Sequence, residues 1–308
     1  MSGSPAFLAS PRYVLGEIEE PYTAVDGLAE RAERYGMPLA PEIWGWGSYF
    51  RTEGSAVELA VTSGNATLDA SGRARESVDG LIVCTTAFPS SVDDHAGFLG
   101  AVLGGLKLPG VSFACGTTLN RCNNLLAGLH LARSLVRAGS NRLVLVVTAD
   151  RIVDEDGRLE KFALFSDGAA SCLVGADVQG PETYAMLASA SAQDVEVLGA
   201  ADQIDSRLSV RVNEELESVT GIPPEKLTAL LPANLVRPLV TLKERQAGFA
   251  AGQLRTGNIE RVGHCFAADP LINLADLDAS GEGEIDGLYL LASSVPGARH
   301  GVLLRKVA

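Results

Sequence analysis

The 308 residues contain no run of roughly 18 apolar residues, the length a membrane-spanning helix needs, so neither such a helix nor a membrane partner is expected. Cysteine is scarce. The five present, Cys84, Cys115, Cys122, Cys172 and Cys265, form neither a Cys-X-X-Cys pair nor a zinc-ligand spacing, which argues against disulfides and metal and for a reduced, cytoplasmic setting. The opening Met1-Ser-Gly-Ser-Pro-Ala-Phe-Leu8 lacks the basic and apolar segments of a secretory signal. Basic residues are outnumbered 25 to 38, giving a net charge of −13 with the cations scattered, so a nucleic acid partner is not expected. The 33 glycines supply no G-x-G-x-x-G or Walker pattern leading from a strand into a helix, which argues against nucleotide binding. With four histidines in the chain, acid–base chemistry near neutral pH has few candidates.

What is abundant is apolar patterning. Hydrophobic residues make up 46% of the chain, enough for a large core in one big domain or two fused halves. Residues 79–86 and Leu143-Val-Leu-Val-Val-Thr148 are continuous apolar runs, of the kind parallel sheets bury on both faces. Helical spacing marks 28–35, 57–68 and 95–106, whereas the aromatic-rich 38–52, with Trp44 and Trp46, reads as an ordered loop. A layered α/β protein follows. Further on come a strand at 184–191, a helix from Pro224, a strand at 229–232, a helix at 237–251, a turn at 258–264, a helix at 270–277 and strands at 287–293 and 301–307. This order of elements, and the paired strands LVLVVTAD and GLYLLASS, suggest two alike halves, 1–178 and 179–308.

The stretch 110–150 reads as strand, sharp turn, helix and strand, and it places Cys122 in the first turn of a helix that Gly139 ends. Free N–H groups and the positive end of the helix dipole favour a thiolate there, which makes Cys122 the candidate nucleophile. A buried, inert thiol is the competing reading. Cys115 lies inside the strand, before the turn, and reads as packing.

The succession of Cys122, helix, Gly139, apolar strand and Phe165-Ser-Asp-Gly-Ala-Ala170 resembles the thiolase-fold enzymes, specifically their ketoacyl-ACP synthase III branch. The resemblance covers nearly the whole chain. It implies a five-layered αβαβα sandwich of two duplicated halves, usually a homodimer, with an acyl group carried on Cys122. His264 holds in the second half the place of Cys122 in the first. Two departures from the branch bear on the reaction. Where the branch has Gly-Asn followed by Thr or Ser, this chain reads Arg261-Val-Gly-His-Cys-Phe-Ala-Ala-Asp269; the branch's Pro-His-Gln-Ala-Asn segment, source of its catalytic His, corresponds here to Leu231-Pro-Ala-Asn-Leu235. Decarboxylative condensation needs paired donors at the developing enolate oxygen, and this chain lacks one of them. Cys122, His264 and Asp269 resemble instead the Cys-His-Asp triad of an acyltransferase sub-branch of natural-product pathways, as nucleophile, base and orienting acid. Asp269 before Pro270 also reads simply as a helix N-cap.

The resemblance therefore implies an acyltransferase of secondary metabolism with no permanently bound cofactor. Coenzyme A or the phosphopantetheine of an acyl carrier protein would be the donor, and an oxygen, nitrogen or sulfur of a small or carrier-bound molecule the acceptor. A starter condensing enzyme that forms a carbon–carbon bond is the alternative. Trp44 and Trp46 could line an acyl or pantetheine channel or plug a core beneath their loop. Ser293 and Ser294, opening the loop 293–297, are candidates to contact substrate. His95, His130 and His300 read as surface or structural residues; His130 lies about 12 Å along the helix from Cys122, beyond hydrogen-bond reach.

Overall fold

The computed structural model describes residues 4–89, 91–178, 180–198 and 206–308. Strand β1 (Phe7–Leu15) leads into a ribbon in which β2 (Ile18–Pro21) pairs antiparallel with β3 (Ser48–Arg51), across α1 (Leu28–Arg34) and the single-turn α2 (Pro41–Trp44). The segment 38–52 is thus not a loop. Pro41 starts a helical turn, Gly45 stops it at φ 78°, and Ser48-Tyr-Phe-Arg51 extends into the ribbon. Helix α3 (Ala56–Ser71), opened by a Ser55–Glu58 capping box, precedes β4 (Gly80–Cys84), α4 (Val92–Leu106), β5 (Phe113–Thr117), α5 (Asn124–Arg137) and β6 (Leu143–Asp150). The short pair β7 (Leu159–Glu160) and β8 (Ala163–Leu164) leads to β9 (Gly168–Gly175). Then follow β10 (Thr183–Gln193), α6 (Ser206–Thr220), β11 (Ala229–Pro232), α7 (Arg237–Gln246), α8 (Asn258–Arg261), α9 (Asp269–Ala279), β12 (Leu288–Val295) and β13 (Ala298–Lys306).

Among the described residues nine strands join in the order β11-β12-β13-β10-β1-β9-β6-β4-β5. The two sides of this sheet meet through one short contact, Phe7 opposite Ala185, Leu8 opposite Tyr184 and Ala9 opposite Thr183. Period-two alternation sorts the strand side chains between layers. On the β4-β6-β9 side, Leu81, Val83, Leu145, Val147 and Leu173 pack with Leu59 and Leu68 of α3 and Leu106 of α4. The opposite faces, Ile82, Val144, Val146 and Cys172, share a core with Tyr289, Leu291, Val302 and Leu304 of the other side, filled by Leu125 and Leu129 of α5 and Leu271 and Leu274 of α9. Beyond it, Leu290, Ala292 and Leu303 pack on Val212 and Leu216 of α6. Helix, sheet, helix, sheet and helix give the five layers.

Several elements differ from their sequence reading. Helix α6 has its apolar stripe diluted by acidic residues, and only the sheet beneath it shows why Val212 and Leu216 are buried. The helix read from Pro224 is one 3₁₀ turn, Pro224–Lys226, because Leu227 at φ −73° and ψ 137° is already extended towards β11. Helix α7 ends at Gln246 rather than 251, because Gly248 at φ 100° leaves the helical region. No described helix is long and apolar enough to cross a membrane.

Candidate active site

Cys122 stands on a tight turn. Strand β5 ends at Thr117, Arg121 adopts a left-handed φ of 52°, and Arg121–Asn123 form one 3₁₀ turn before α5 begins at Asn124. The thiol thus precedes the helix instead of lying in its first turn, as the sequence suggested. Ser293 Oγ donates to the Cys122 carbonyl at 3.1 Å and the Arg121 guanidinium to the Pro296 carbonyl at 2.5 Å, so β12 and its following turn brace the cysteine turn from outside.

His264 arrives from the other half on a backbone held at several points. Gly263 has φ 71°, and a Cβ there would lie 2.7 Å from the Leu164 carbonyl, so this position needs glycine. His264 N donates to Leu164 O at 2.7 Å and Ser166 N to His264 O at 2.9 Å, a single parallel bridge with the segment that carries Phe165. The ring lies fully buried between two partners: Nε2 is 3.3 Å from Cys122 Sγ, and Nδ1 is 2.5 Å from Asp269 Oδ2. Asp269 is the first residue of α9 and is not its N-cap, which is Ala268. Its carboxylate also accepts from Asn234 N at 2.6 Å and Cys265 N at 2.7 Å. Phe165 and Phe266 flank the imidazole, with ring centroids 4.9 and 6.1 Å away.

Electrostatics favour the charged ring. Burial alone would lower the His264 pKa, but the Asp269 carboxylate, and then a Cys122 thiolate, reverse this and raise it to about 10. The charged ring presents Nε2 to Cys122 Sγ, the contact through which an imidazole and a thiol exchange a proton. Burial pushes the thiols of Cys84, Cys115, Cys172 and Cys265 up, away from reactivity.

The structure brings Cys122, His264 and Asp269 together, sets Ser293 against the Cys122 backbone and places Trp44, Trp46 and Ser294 among other partners. Trp46 is 4% exposed and packs with Tyr22, Met37 and Tyr49, a plug beneath the ribbon. Trp44 leans on it and donates Nε1 to Pro38 O, so neither indole reaches the thiol's contacts. Of the two serines, strand alternation turns Ser293 to Cys122 and Ser294 away, where Ser294 joins Lys243 and Arg299 around buried Glu244. His130 bonds Ser189 Oγ at 2.6 Å, and His95 meets the Pro89 carbonyl. Among the described residues no group of three or more His, Cys, Asp or Glu gathers as a metal site. The sequence reading missed Asn234, which supports Asp269 with its N–H and donates Nδ2 to the Gly263 carbonyl at 3.0 Å. A lone Asn after a four-residue strand carried no local signal of that role.

Comparison with known proteins accords with this fold. A sequence model of the 3-oxoacyl-[acyl-carrier-protein] synthase III family matches residues 118–194, the stretch beginning four residues before Cys122. The mycobacterial β-ketoacyl-[acyl-carrier-protein] synthase III of Mycobacterium marinum is 23% identical over 265 residues, covering 78% of this chain and 77% of its own. Among solved structures, the acyltransferase ChlB3 superposes with a TM-score of 0.80 at 19% identity, covering 99% of this chain and 98% of its own. The 3-oxoacyl-[acyl-carrier-protein] synthase III of Aquifex aeolicus does so with a TM-score of 0.80 at 19% identity, covering 97% and 99%. By its layers, its strand order and the sequence around its cysteine, the chain is a thiolase-fold protein similar to the ketoacyl synthase III enzymes.

Proposed function

We propose that this protein is a cytoplasmic acyltransferase of secondary metabolism, moving an acyl group from coenzyme A or a carrier-protein phosphopantetheine through Cys122 to an oxygen, nitrogen or sulfur acceptor. The observation that carries the reading is the unbroken Cys122–His264–Asp269 relay. The thiolate attacks the thioester carbonyl, and the imidazolium hands its proton to the departing thiolate of the donor. Acylation removes the negative charge from sulfur, and with it one of the influences that hold the proton on His264. The neutral ring then takes the proton of the incoming acceptor, while Asp269 stabilises the imidazolium that reforms. No permanently bound cofactor enters these steps.

Reaction type follows from the segment 231–235. Leu231-Pro-Ala-Asn-Leu235 contains no His to donate to an extender carbonyl beside His264, and the Asn234 carboxamide is turned to the Gly263 carbonyl while accepting from Asn273. The condensing alternative is favoured by the synthase III family match. Intact-protein mass after incubation with acyl thioesters tests both readings. The adduct should sit on the Cys122 peptide, vanish in Cys122→Ala and persist in Cys115→Ala. His264→Ala should lower turnover by roughly a thousandfold or more, as expected when a triad base is removed. With malonyl-carrier present, carbon dioxide should stay at background. Cys122-dependent carbon dioxide release would establish condensation instead.

A further inference from the structure

We propose that Asn124 is a positioning residue for the nucleophile, its carboxamide fixing the turn that sets the Cys122 thiol against His264. The role rests on the reading of Cys122 as acyl carrier.

His264 is held by its own framework of Asp269, Asn234 and the bridge to Phe165, so the thiol–imidazole distance depends on how firmly the opposing turn is placed. That turn contains a non-glycine residue, Arg121, at positive φ, and Asn123, the N-cap of α5, makes no side-chain capping bond. The restraint comes from the next residue. Asn124 is fully buried; its Nδ2 donates to Thr85 O at 3.1 Å and Thr118 O at 3.2 Å, and its Oδ1 accepts from Asn120 N at 3.0 Å. Thr117 Oγ1 donates to the Asn124 carbonyl at 3.1 Å. One side chain therefore ties the residue after β4, the residue after β5 and the start of the cysteine turn, using both N–H donors and the carbonyl.

The anchor behind it is rigid. Thr85 Oγ1 at 3.0 Å, Thr86 N at 2.6 Å and Thr86 Oγ1 at 2.7 Å all donate to one oxygen of buried Asp150, the last residue of β6. The ends of β4, β5 and β6 are thereby linked through Asp150, Thr85 and Asn124 to the two sides of Cys122. Local side-chain-to-backbone bonding is what short carboxamides do in turns, and here it runs between elements far apart in sequence.

The test is Asn124→Asp, which keeps the shape and the acceptor for Asn120 N but removes both donors. Acylation kcat should fall by about a hundredfold with KM for the acyl thioester within about threefold, and iodoacetamide alkylation of Cys122 at pH 7 should slow by about tenfold, the pattern of a misplaced reacting group. Should that variant fail to fold, Asn124→Ser, which keeps a hydroxyl donor, carries the same readouts. Wild-type kcat and alkylation in either folded variant, or a change in KM alone, would overturn the proposal. Alkylation needs no acyl donor. A wild-type chain that accepts no acyl group would therefore refute the acyltransferase reading while the alkylation rates still decide the role of Asn124.

Discussion

His264 shows how one residue can be charged inside a core. Burial opposes the imidazolium, and the Asp269 carboxylate at 2.5 Å with the neighbouring thiolate outweighs it. Because the folded-state value of about 10 lies above the usual 6.5, the pair's contribution to stability is complete below about pH 6.5 and is lost as pH rises towards 10. Ring-carbon NMR of His264 should accordingly show a titration near pH 10 in the wild type. Asp269→Asn should lower that midpoint, and Cys122→Ala should lower it less, following the order of the two charges. A wild-type midpoint near 6.5 would contradict the ion-paired site. Cys122, His264 and Asp269 were legible in the sequence because each is a reactive residue type at a motif position. Asn124 and Asn234 were not, because their partners are backbone atoms supplied by other elements.

At the scale of elements, two glycines with similar φ separate local from tertiary demands. Gly139, at φ 72° after α5, has open space where a side chain would begin, with no atom within 4 Å, and its role as helix stop follows from sequence. Gly263, at φ 71°, faces the Leu164 carbonyl, so its requirement comes from the bridge that seats His264. Gly139→Ala should cost about 1–2 kcal/mol of stability, the usual cost of a left-handed non-glycine residue, with activity retained. Gly263→Ala should cost at least about 1–3 kcal/mol and also lower turnover, since relief of the clash must move the histidine. Chemical denaturation and steady-state kinetics check both; an active, unshifted Gly263→Ala would remove the argument. Helix α6 illustrates the reverse problem, since its narrow apolar stripe means little until the sheet it covers is known.

For the whole molecule, the strand run carries a repeat. Strands β4, β6, β9 and β1 are joined by one parallel and two antiparallel pairings, and β11, β12, β13 and β10 follow the same sequence of pairings. Helices α5 and α9, which follow Cys122 and His264, fill the shared layer between them. These matched runs support the proposal that 1–178 and 179–308 are duplicated halves. Strand β5 has no counterpart in the second run and ends the sheet with an open edge. Leu119, just beyond it, is 93% exposed. An apolar open edge promotes pairing with another chain, and we expect two copies to join β5 to β5 across a twofold axis. Sedimentation at micromolar concentration should show a dimer; a monomer would count against it.

The sequence by itself determined the layered α/β class, the buried strands β4 and β6 and the cysteine at the head of a helix, because these rest on periodicity and turn chemistry within a few dozen residues. Tertiary structure alone decided how closely His264 meets Cys122 across 142 positions, whether Asp269 caps a helix or meets the imidazole, and that Trp46 and Ser294 pack among other partners. The physical reason is that a side chain's partner is chosen by the elements packed around it. Spacing along the chain carries no record of that choice.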